Sequence, residues 1–598
     1  MDGKTATGNS GEPAANSARA RFMREVADDL PSRSLPHGFL AREMSRPSSL
    51  ALTNRIGIIG TGGFADMLAK YADVTVIAPD APDATIAWTG LDLLLVEGRI
   101  MRQDDPWRRG LLGMGDDGAH LHALIARARD HEVPVVLWIN EEAAALPHFA
   151  HLRGAVDLVV VPPGADASDP DTVAIPPCVD VKLFNPVIDD LAAHVPWGRY
   201  LSLAVDGCHE IGARDDPEAF ADRFEALFDY NWWLLDSSYD LRNNNRRFPP
   251  RMQRRALGPL RGQPLANLLK FAEGYILPTA LTGNRPRHAR QRQLEAAAAK
   301  ALVLAEDGRL AGAATADTPA GLNALIHWLM RDRIGAAAAQ HLGWRDAVAR
   351  HSWFEGIAAL LEHFGKPVRS TAPLDPGVNV VMPTIRPELI PHALRMMEAQ
   401  VHRNWQLTIV ANGVSVPGDI ARQVADHPAA QLTAIPGDKS IGYCMNFGID
   451  QSGADYWAKI DDDDIYGPHY LSDLLLQRKY ADFDIAGKAA VFAWLEETEK
   501  LVVRNFEARD RKAVFLTGST ILARAGSGHF PEDVRGYADV LFLTTAEENG
   551  RRLLTADPFN YVQVRRADVR NHTWTADAAQ FETQGPVRAG LDFGGVIL

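Results

Sequence analysis

The chain has 598 residues, 46% hydrophobic and 23% charged, with a formal net charge of −14. That length exceeds what one hydrophobic core organises and predicts two to four domains of an ordinary globular kind. The acidic balance excludes nucleic acid as the main partner, because a phosphate backbone needs a basic footprint.

The N-terminus, MDGKTATGNSGEPAANSARARF, lacks the apolar core of a secretory signal, and its small polar composition predicts a disordered tail over residues 1–50. No apolar run reaches transmembrane length. Cys178, Cys208 and Cys444 are far apart and form no CxxC pair. They fit neither a disulfide framework nor a zinc site, and point to a reducing compartment. The expected location is the cytoplasm, with peripheral contact at the inner face of a membrane left open.

From residue 51 to 196, β-rich runs at 55–61, 73–79, 91–98, 133–139 and 155–162 alternate with helical pieces such as HLHALIARARDHE (120–132). Buried-type strands alternating with helices predict a parallel, doubly wound sheet. Residues 197–367 repeat the pattern, with candidate strands at 199–205, 232–238, 274–280 and 300–308 and helices at 286–299 and 352–365. The Pro-rich stretch 368–377 reads as a linker. A third αβ domain, 378–598, opens at VNVVMPT (378–384) and continues with strand-like runs at 405–413, 430–437, 455–461, 484–492 and 514–523.

In the third domain, YWAKIDDDDIYGPHYL places four consecutive aspartates, Asp461–Asp464, after a strand-like run and before a Gly-Pro turn. A solvated acidic loop is the ordinary fate of a charge run. The position favours a divalent cation instead. Ligands in open α/β sheets sit at the carboxyl ends of strands, and hard cations take carboxylate oxygens that they share with phosphates.

Residues 378–574 resemble the family-two glycosyltransferases of GT-A fold. The resemblance rests on VMPTIRP, LTIVANG, GYCMNFGID, IDDDDIYGPHYL, FLTGSTIL, RGYADVLFL and VRNHTW, seven segments in the family's order. It implies a nucleotide-sugar donor, probed here by Pro383, Thr384, Arg386, Asn412, Asn446, Asp461 and Asp462. It implies Mn²⁺ or Mg²⁺ on Asp463 and Asp461, with His572 as a further contact and Asp464 supporting the loop. The metal would bridge the donor's two phosphates. Asp539 takes the position of the general base, which would accept the acceptor hydroxyl's proton during a direct, inverting displacement. Gly518, Ser519 and Trp494 fall on the acceptor side. Three positions depart from the family: Asn412 stands where an aspartate is usual, Met445 replaces an arginine, and Ala538 precedes Asp539 where an acidic pair is common.

Residues 55–365 resemble the GT-B glycosyltransferases, chiefly the CgeB-like group. VVLWINEE, VDLVVVPPG and CVDVKLFNP look like the first domain and crossover, and RHARQRQLEAAAAKALVL like the nucleotide-side helix, with Glu295 at the ribose position. The glycine turn usual after that helix is missing. GTGGF (60–64) is not a full dinucleotide fingerprint, so a dehydrogenase is disfavoured. The basic stretch RNNNRRFPPRMQRR (242–255) is either a solvated loop or a contact for an anionic glycan, lipid diphosphate or nucleotide.

The expected architecture is therefore an α/β chain with a GT-B-like pair of Rossmann-like domains followed by a GT-A domain. The expected function is a metal-dependent inverting glycosyltransferase using a nucleotide-sugar, UDP-linked by resemblance, and a glycan or lipid-linked glycan acceptor. Bacterial surface polysaccharide synthesis is the setting the resemblance implies. Two alternatives stand beside it. One is a glycan-binding or scaffold protein with degenerate modules. The other is a sugar nucleotidyltransferase, whose Gly-rich, basic signature is absent from VMPTIRPELI.

Overall fold

The computed structural model describes residues 45–81, 86–100, 105–188, 202–207, 221–236, 248–258, 260–278, 286–305, 313–512, 515–534, 536–567, 587–589 and 593–598. The described residues are mixed α/β and form four sheets. The first holds β1 (Arg55–Ile59), β2 (Asp73–Val76), β3 (Leu93–Gly98), β4 (Val135–Ile139), β5 (Leu158–Val161) and β6 (Thr172–Ala174), in spatial order β2-β1-β3-β4-β5-β6. All its pairings are parallel. Every residue of β3, β4 and β5 is buried, which is why these strands read as apolar runs, broken only by Glu97 near the end of β3.

The second sheet is also parallel. It holds β7 (Ser202–Gly207), β8 (Asn231–Asp236), β9 (Gly274–Leu277), β10 (Leu302–Ala305) and β11 (Ala314–Thr315), ordered β11-β10-β9-β7-β8. Helices α1 (Gly62–Leu68), α2 (Gly115–Asp130), α3 (Pro286–Ala298), α4 (Arg333–Arg350) and α5 (Trp353–His363) flank these sheets. Thr61 and Ser352 cap α1 and α5 by accepting from Phe64 N–H and Glu355 N–H.

The C-terminal region contributes β12 (Val378–Thr384), β13 (Trp405–Asn412), β14 (Ala430–Ile435), β15 (Tyr456–Lys459), β16 (Ile465–Tyr466), β17 (Ile485–Gly487), β18 (Val491–Leu495), β19 (Lys500–Arg504), β20 (Arg511–Lys512), β21 (Leu522–Arg524), β22 (Leu553–Thr555), β23 (Tyr561–Arg565) and β24 (Val587–Ala589). Its helices include α6 (Ile390–Glu398), α7 (Ile441–Asp450), α8 (Tyr470–Leu476) and α9 (Ala538–Glu548). The large sheet runs β14-β13-β12-β15-β21-β17-β22-β20, and a small one runs β16-β23-β18-β19-β24. Strands β12 to β15 are parallel, and β21 lies antiparallel to β15. The chain moves outward from β12 through β13 to β14, then returns to place β15 on β12's other side. The carboxyl ends of β12 and β15 therefore flank a topological switch point, where open α/β sheets bind ligands.

Two expected strands differ. The run 484–492 breaks into β17 and β18 at Lys488. That side chain is fully buried, with its Nζ donating to Asp557 O at 3.0 Å and its backbone N–H to Thr520 Oγ1 at 2.9 Å. Among the described residues of the run 514–523, those from 522 onward are strand, because Gly518–Thr520 closes a tight 3₁₀ turn. The expected linker runs extended beside 51–54: Thr53 N–H donates to Arg369 O at 2.9 Å and Thr371 N–H to Ala51 O at 2.8 Å. The end of the expected tail is also placed, with Ser48 N–H donating to Tyr480 O at 3.1 Å and Leu50 in the core. Among the described residues, no helix is long and apolar enough to cross a membrane.

Candidate active site

The site starts from two adjacent strand ends. Parallel pairing of β12 with β15 aligns Val381 with Lys459, so the segment after Thr384 and the aspartates after Lys459 emerge side by side. Thr384 Oγ1 donates to Asp462 Oδ2 at 2.5 Å and accepts from Arg386 N–H at 2.9 Å. The Arg386 guanidinium bonds Asp462 and also reaches Asp463 Oδ2 at 2.7 Å. Burial raises the proton affinity of Asp462, against the pull of these bonds. Burial works against the Arg386 charge too, but its bonds to Asp463 and Asp462 hold its proton more firmly than usual. Thr384 and Arg386 thus act on the aspartates, and Asp462 anchors the loop. Pro383, half-buried, precedes Thr384 on β12.

The other aspartates differ in environment. Asp461 keeps 40% of its side chain exposed, accepts from Lys459 Nζ at 2.5 Å through Oδ1, and donates its backbone N–H to Tyr466 Oη at 2.8 Å. Asp463 meets Arg386, and Arg566 at 3.9 Å, both through Oδ2. Asp464 is buried. It accepts from Tyr561 Oη at 2.6 Å and from Val564 N–H at 2.9 Å. Burial, with Asp461 and then Asp463 adding repulsion, pushes its carboxyl up to about 8.

A hydrogen-bonded path continues to the other wall. Tyr561 Oη shares a 2.6 Å bond with Ser519 Oγ, and Tyr466 Oη donates to Ser519 O at 2.8 Å. The Gly518–Thr520 turn packs on the start of α9. A Cβ at Gly518 would lie 1.6 Å from Asp539 Oδ2, so only glycine lets that carboxylate rest there. Asp539 is half-buried in the first turn of α9, which favours negative charge.

The remaining expected residues are placed as follows. Asn412 ends β13, donates to Lys439 O at 3.1 Å, and has a buried Oδ1 with no hydrogen-bond partner among the described residues. Asn446 on α7 donates to Phe530 O at 2.9 Å and Glu532 Oε1 at 2.8 Å and accepts from Phe530 N–H at 2.8 Å. Its amide is thus engaged with a loop of its own chain. Trp494 is buried in the small sheet against Phe593 and pairs in register with Val564, whose N–H bonds Asp464. Glu295 lies on α3 in the front half, accepting from Gln291 at 3.0 Å and Arg292 at 2.6 Å. His572 lies outside the described residues, as do residues 242–247 of the basic stretch.

Asp461 and Asp463 are paired with Lys459 and Arg386, and among the described residues the aspartate run does not bring three ligand atoms within 4.8 Å of one another. Among the described residues, Asp461 Oδ2 and Asp463 Oδ1 carry no hydrogen bond, and neither is a buried orphan. Hard cations take such carboxylate oxygens together with phosphates. A separate trio, His341, Asp473 and Asp557, also brings one ligand atom each within 4.8 Å of one another. This trio could hold a metal ion. It joins α4 of the front half to the C-terminal region and shares no residue with the aspartate run.

Three residues at the site escaped the sequence reading: Lys459, Tyr466 and Tyr561. Lys459 had a signal. Strand side chains alternate, so a lysine two residues before Asp461 shares its face.

No family model matches the chain. A curated protein, Catalase-1 of Neurospora crassa, is 30% identical over 122 residues, covering 18% of this chain and 16% of that protein. Solved structures similar to parts of the chain include S. aureus TarS 1–349, with 16% identity and a TM-score of 0.27 over 31% of this chain and 60% of that one. Another is the mannosyltransferase PcManGT from Pyrobaculum calidifontis in complex with GDP-Man and Mn²⁺, with 19% identity and a TM-score of 0.26 over 40% of this chain and 70% of that one. TM-scores of this size do not establish a shared fold.

Proposed function

We propose that the C-terminal region is a divalent-cation-dependent, inverting glycosyltransferase that moves a sugar from a nucleotide-sugar to a hydroxyl of a glycan acceptor. One observation carries this reading. At the switch point between β12 and β15, Asp461 and Asp463 each keep one carboxylate oxygen without a hydrogen bond, and Tyr466, bonded to Asp461 N–H and Ser519 O, ties the run to the Gly518–Thr520 turn against which Asp539 lies.

Asp461 and Asp463 would hold Mn²⁺ or Mg²⁺, which would neutralise charge developing on a departing diphosphate. The chain's own residues do the rest. Arg386 keeps Asp463 oriented. Thr384 and Arg386 keep Asp462 turned inward. Tyr561 and Val564 N–H fix Asp464 beneath the loop. Asp539 takes the acceptor hydroxyl's proton as its oxygen attacks the anomeric carbon, and the bond to the diphosphate breaks on the opposite face. The UDP preference rests on the family resemblance, and Asn412 is the residue at which it would fail.

The test is turnover of a panel of UDP- and GDP-linked sugars with Mn²⁺ and with chelator, on the full chain and on Asp463→Ala. Metal-dependent release of nucleoside diphosphate that the substitution abolishes supports the reading. Turnover unaffected by both chelator and substitution overturns it.

A further inference from the structure

Two arginines from different segments converge on one oxygen of Asp463. Arg386 follows β12, and its Nη1 donates to Asp463 Oδ2 at 2.7 Å. Its Nε and Nη2 are spent on the buried Asp462. A guanidinium has five N–H groups. The other two of Arg386 have no acceptor among the described residues, and 28% of the side chain is exposed. Arg566 follows β23. Its Nε lies 3.9 Å from the same Asp463 Oδ2, and 37% of its side chain is exposed. The backbone brings it there. Strand β16, directly after the aspartate run, pairs antiparallel with β23, and Val564 N–H donates to Asp464 Oδ1 at 2.9 Å. The end of β23 therefore runs alongside the aspartates.

A carboxylate oxygen faced by two guanidiniums marks a place built to hold negative charge, and the planar fork that fits a carboxylate fits a phosphate equally. The chain carries a net charge of −14, and four of its carboxylates stand in this run. A diphosphate placed beside them needs cations of its own. We propose that Arg386 and Arg566 form a cradle for the donor's diphosphate, with Asp463 holding the two guanidiniums in place. The identity of the anion rests on the transferase reading of this site. Arg386 keeps its bonds to Asp462 and offers its two remaining N–H groups. At 3.9 Å the Arg566–Asp463 contact is an ion pair without a hydrogen bond, so turning to a phosphate gives up charge attraction alone.

The experiment is calorimetric titration of the full chain, in chelator and in Mn²⁺, with UDP, GDP and inorganic pyrophosphate. Uridine and guanosine, which carry no phosphate, are the controls. Wild type, Arg566→Met and Arg566→Lys are compared, with thermal midpoints read alongside. Arg566→Met is expected to weaken diphosphate binding about tenfold or more, the scale of one charge-assisted hydrogen bond, and to leave nucleoside affinity within about twofold. Pyrophosphate should lose the same factor as the nucleotide. Arg566→Lys keeps the charge without the fork and should fall between. If Arg566→Met fails to fold, Arg566→Gln carries the comparison. Equal diphosphate affinity in wild type and Arg566→Met overturns the proposal. So does a loss that the nucleoside shares in full, which marks a collapsed pocket. A wild type that binds no diphosphate under either condition overturns it as well. Metal-dependent sugar release that Asp463→Ala abolishes, beside unchanged diphosphate affinity in Arg566→Met, sinks the cradle and leaves the transferase reading standing. Diphosphate binding that Arg566→Met weakens, with no sugar release from any donor, supports the cradle and sinks the transferase reading.

Discussion

Gly518 controls where the Asp539 carboxylate can lie. A Cβ added there would meet Oδ2 at 1.6 Å, Cγ at 2.5 Å and Cβ at 2.8 Å of Asp539, distances no contact tolerates. Gly518→Ala must therefore push that side chain off the turn. Misplacing a base costs the rate it supplies, so kcat for transfer should fall by about 100-fold. Asp539 is only half-buried and has room to swing outward, so the fold should survive. Gly536→Ala is the matched control, since nothing lies within 4 Å of a Cβ at that position. Steady-state rates and thermal midpoints of the two variants decide the matter. Equal rates would mean that Asp539 is not the base.

At the scale of elements, α7 is tied to the loop before α9 through Asn446, whose amide makes three hydrogen bonds to Phe530 and Glu532. Asn446→Ala leaves the buried Phe530 peptide groups unpaired, at a cost of about 1–3 kcal/mol. Chemical denaturation should show that loss, and donor KM should move little, because the amide already has partners within the chain. A large KM change with unaltered stability would return Asn446 to the donor site. The sequence suggested donor contact here because family order ranks positions but does not reveal side-chain partners. The same limit operates in the strands. Runs buried on both faces, such as β3, β4 and β12, were legible because burial leaves mostly apolar residues, with exceptions such as Glu97 and Asn379. The break at Lys488 and the turn at Gly518 were not, because each is set by a residue distant in sequence, Asp557 and Asp539. The aspartate run was legible from its place after a strand. The mates that separate its four members, Arg386, Lys459 and Tyr561, come from three different segments. Only Lys459 was close enough in sequence to betray itself.

For the whole molecule, the question is whether the front half and the C-terminal region are separable. Buried charges join them. Arg345 on α4 donates to both oxygens of Asp473 on α8, each at 2.8 Å, and His341 meets the same carboxylate at 2.9 Å. Lys300, after α3, lies 2.5 Å from Asp510, and both side chains are about 5% exposed. Ala337 of α4 enters the same apolar cluster as Phe492, Trp494 and Phe559. Removing one member of such a pair strands the other, at roughly 3–5 kcal/mol, whereas replacing both can be nearly neutral. Lys300→Met should therefore destabilise strongly, and adding Asp510→Leu should restore much of the loss. Purely additive effects would mean that the pair is not coupled. An excised 378–598 fragment would expose Asp473 and Asp510 without their mates and should fold poorly alone.

Acid should loosen the same junction. Burial would raise the carboxyls of Asp473 and Asp557. The neighbouring His341, with Arg345 at the first and Lys488 and Lys300 at the second, overrides that and holds both below the usual carboxylate range. An unfolded aspartate takes up its proton near pH 4. The folded ones resist until a lower pH, so in that window the unfolded state binds more protons and stability falls as pH drops. Their contribution is complete near neutrality and is lost progressively on acidification below about pH 5. Because the pairs are buried, added salt at pH 7 should change the thermal midpoint little, unlike surface pairs. Thermal scans from pH 7 to pH 3, with and without added salt, test both statements. A midpoint that holds constant to pH 3, or that collapses in salt at pH 7, would show that Asp473 and Asp557 are not paired in the folded protein, and the junction would then rest on apolar packing and the Lys300–Asp510 pair.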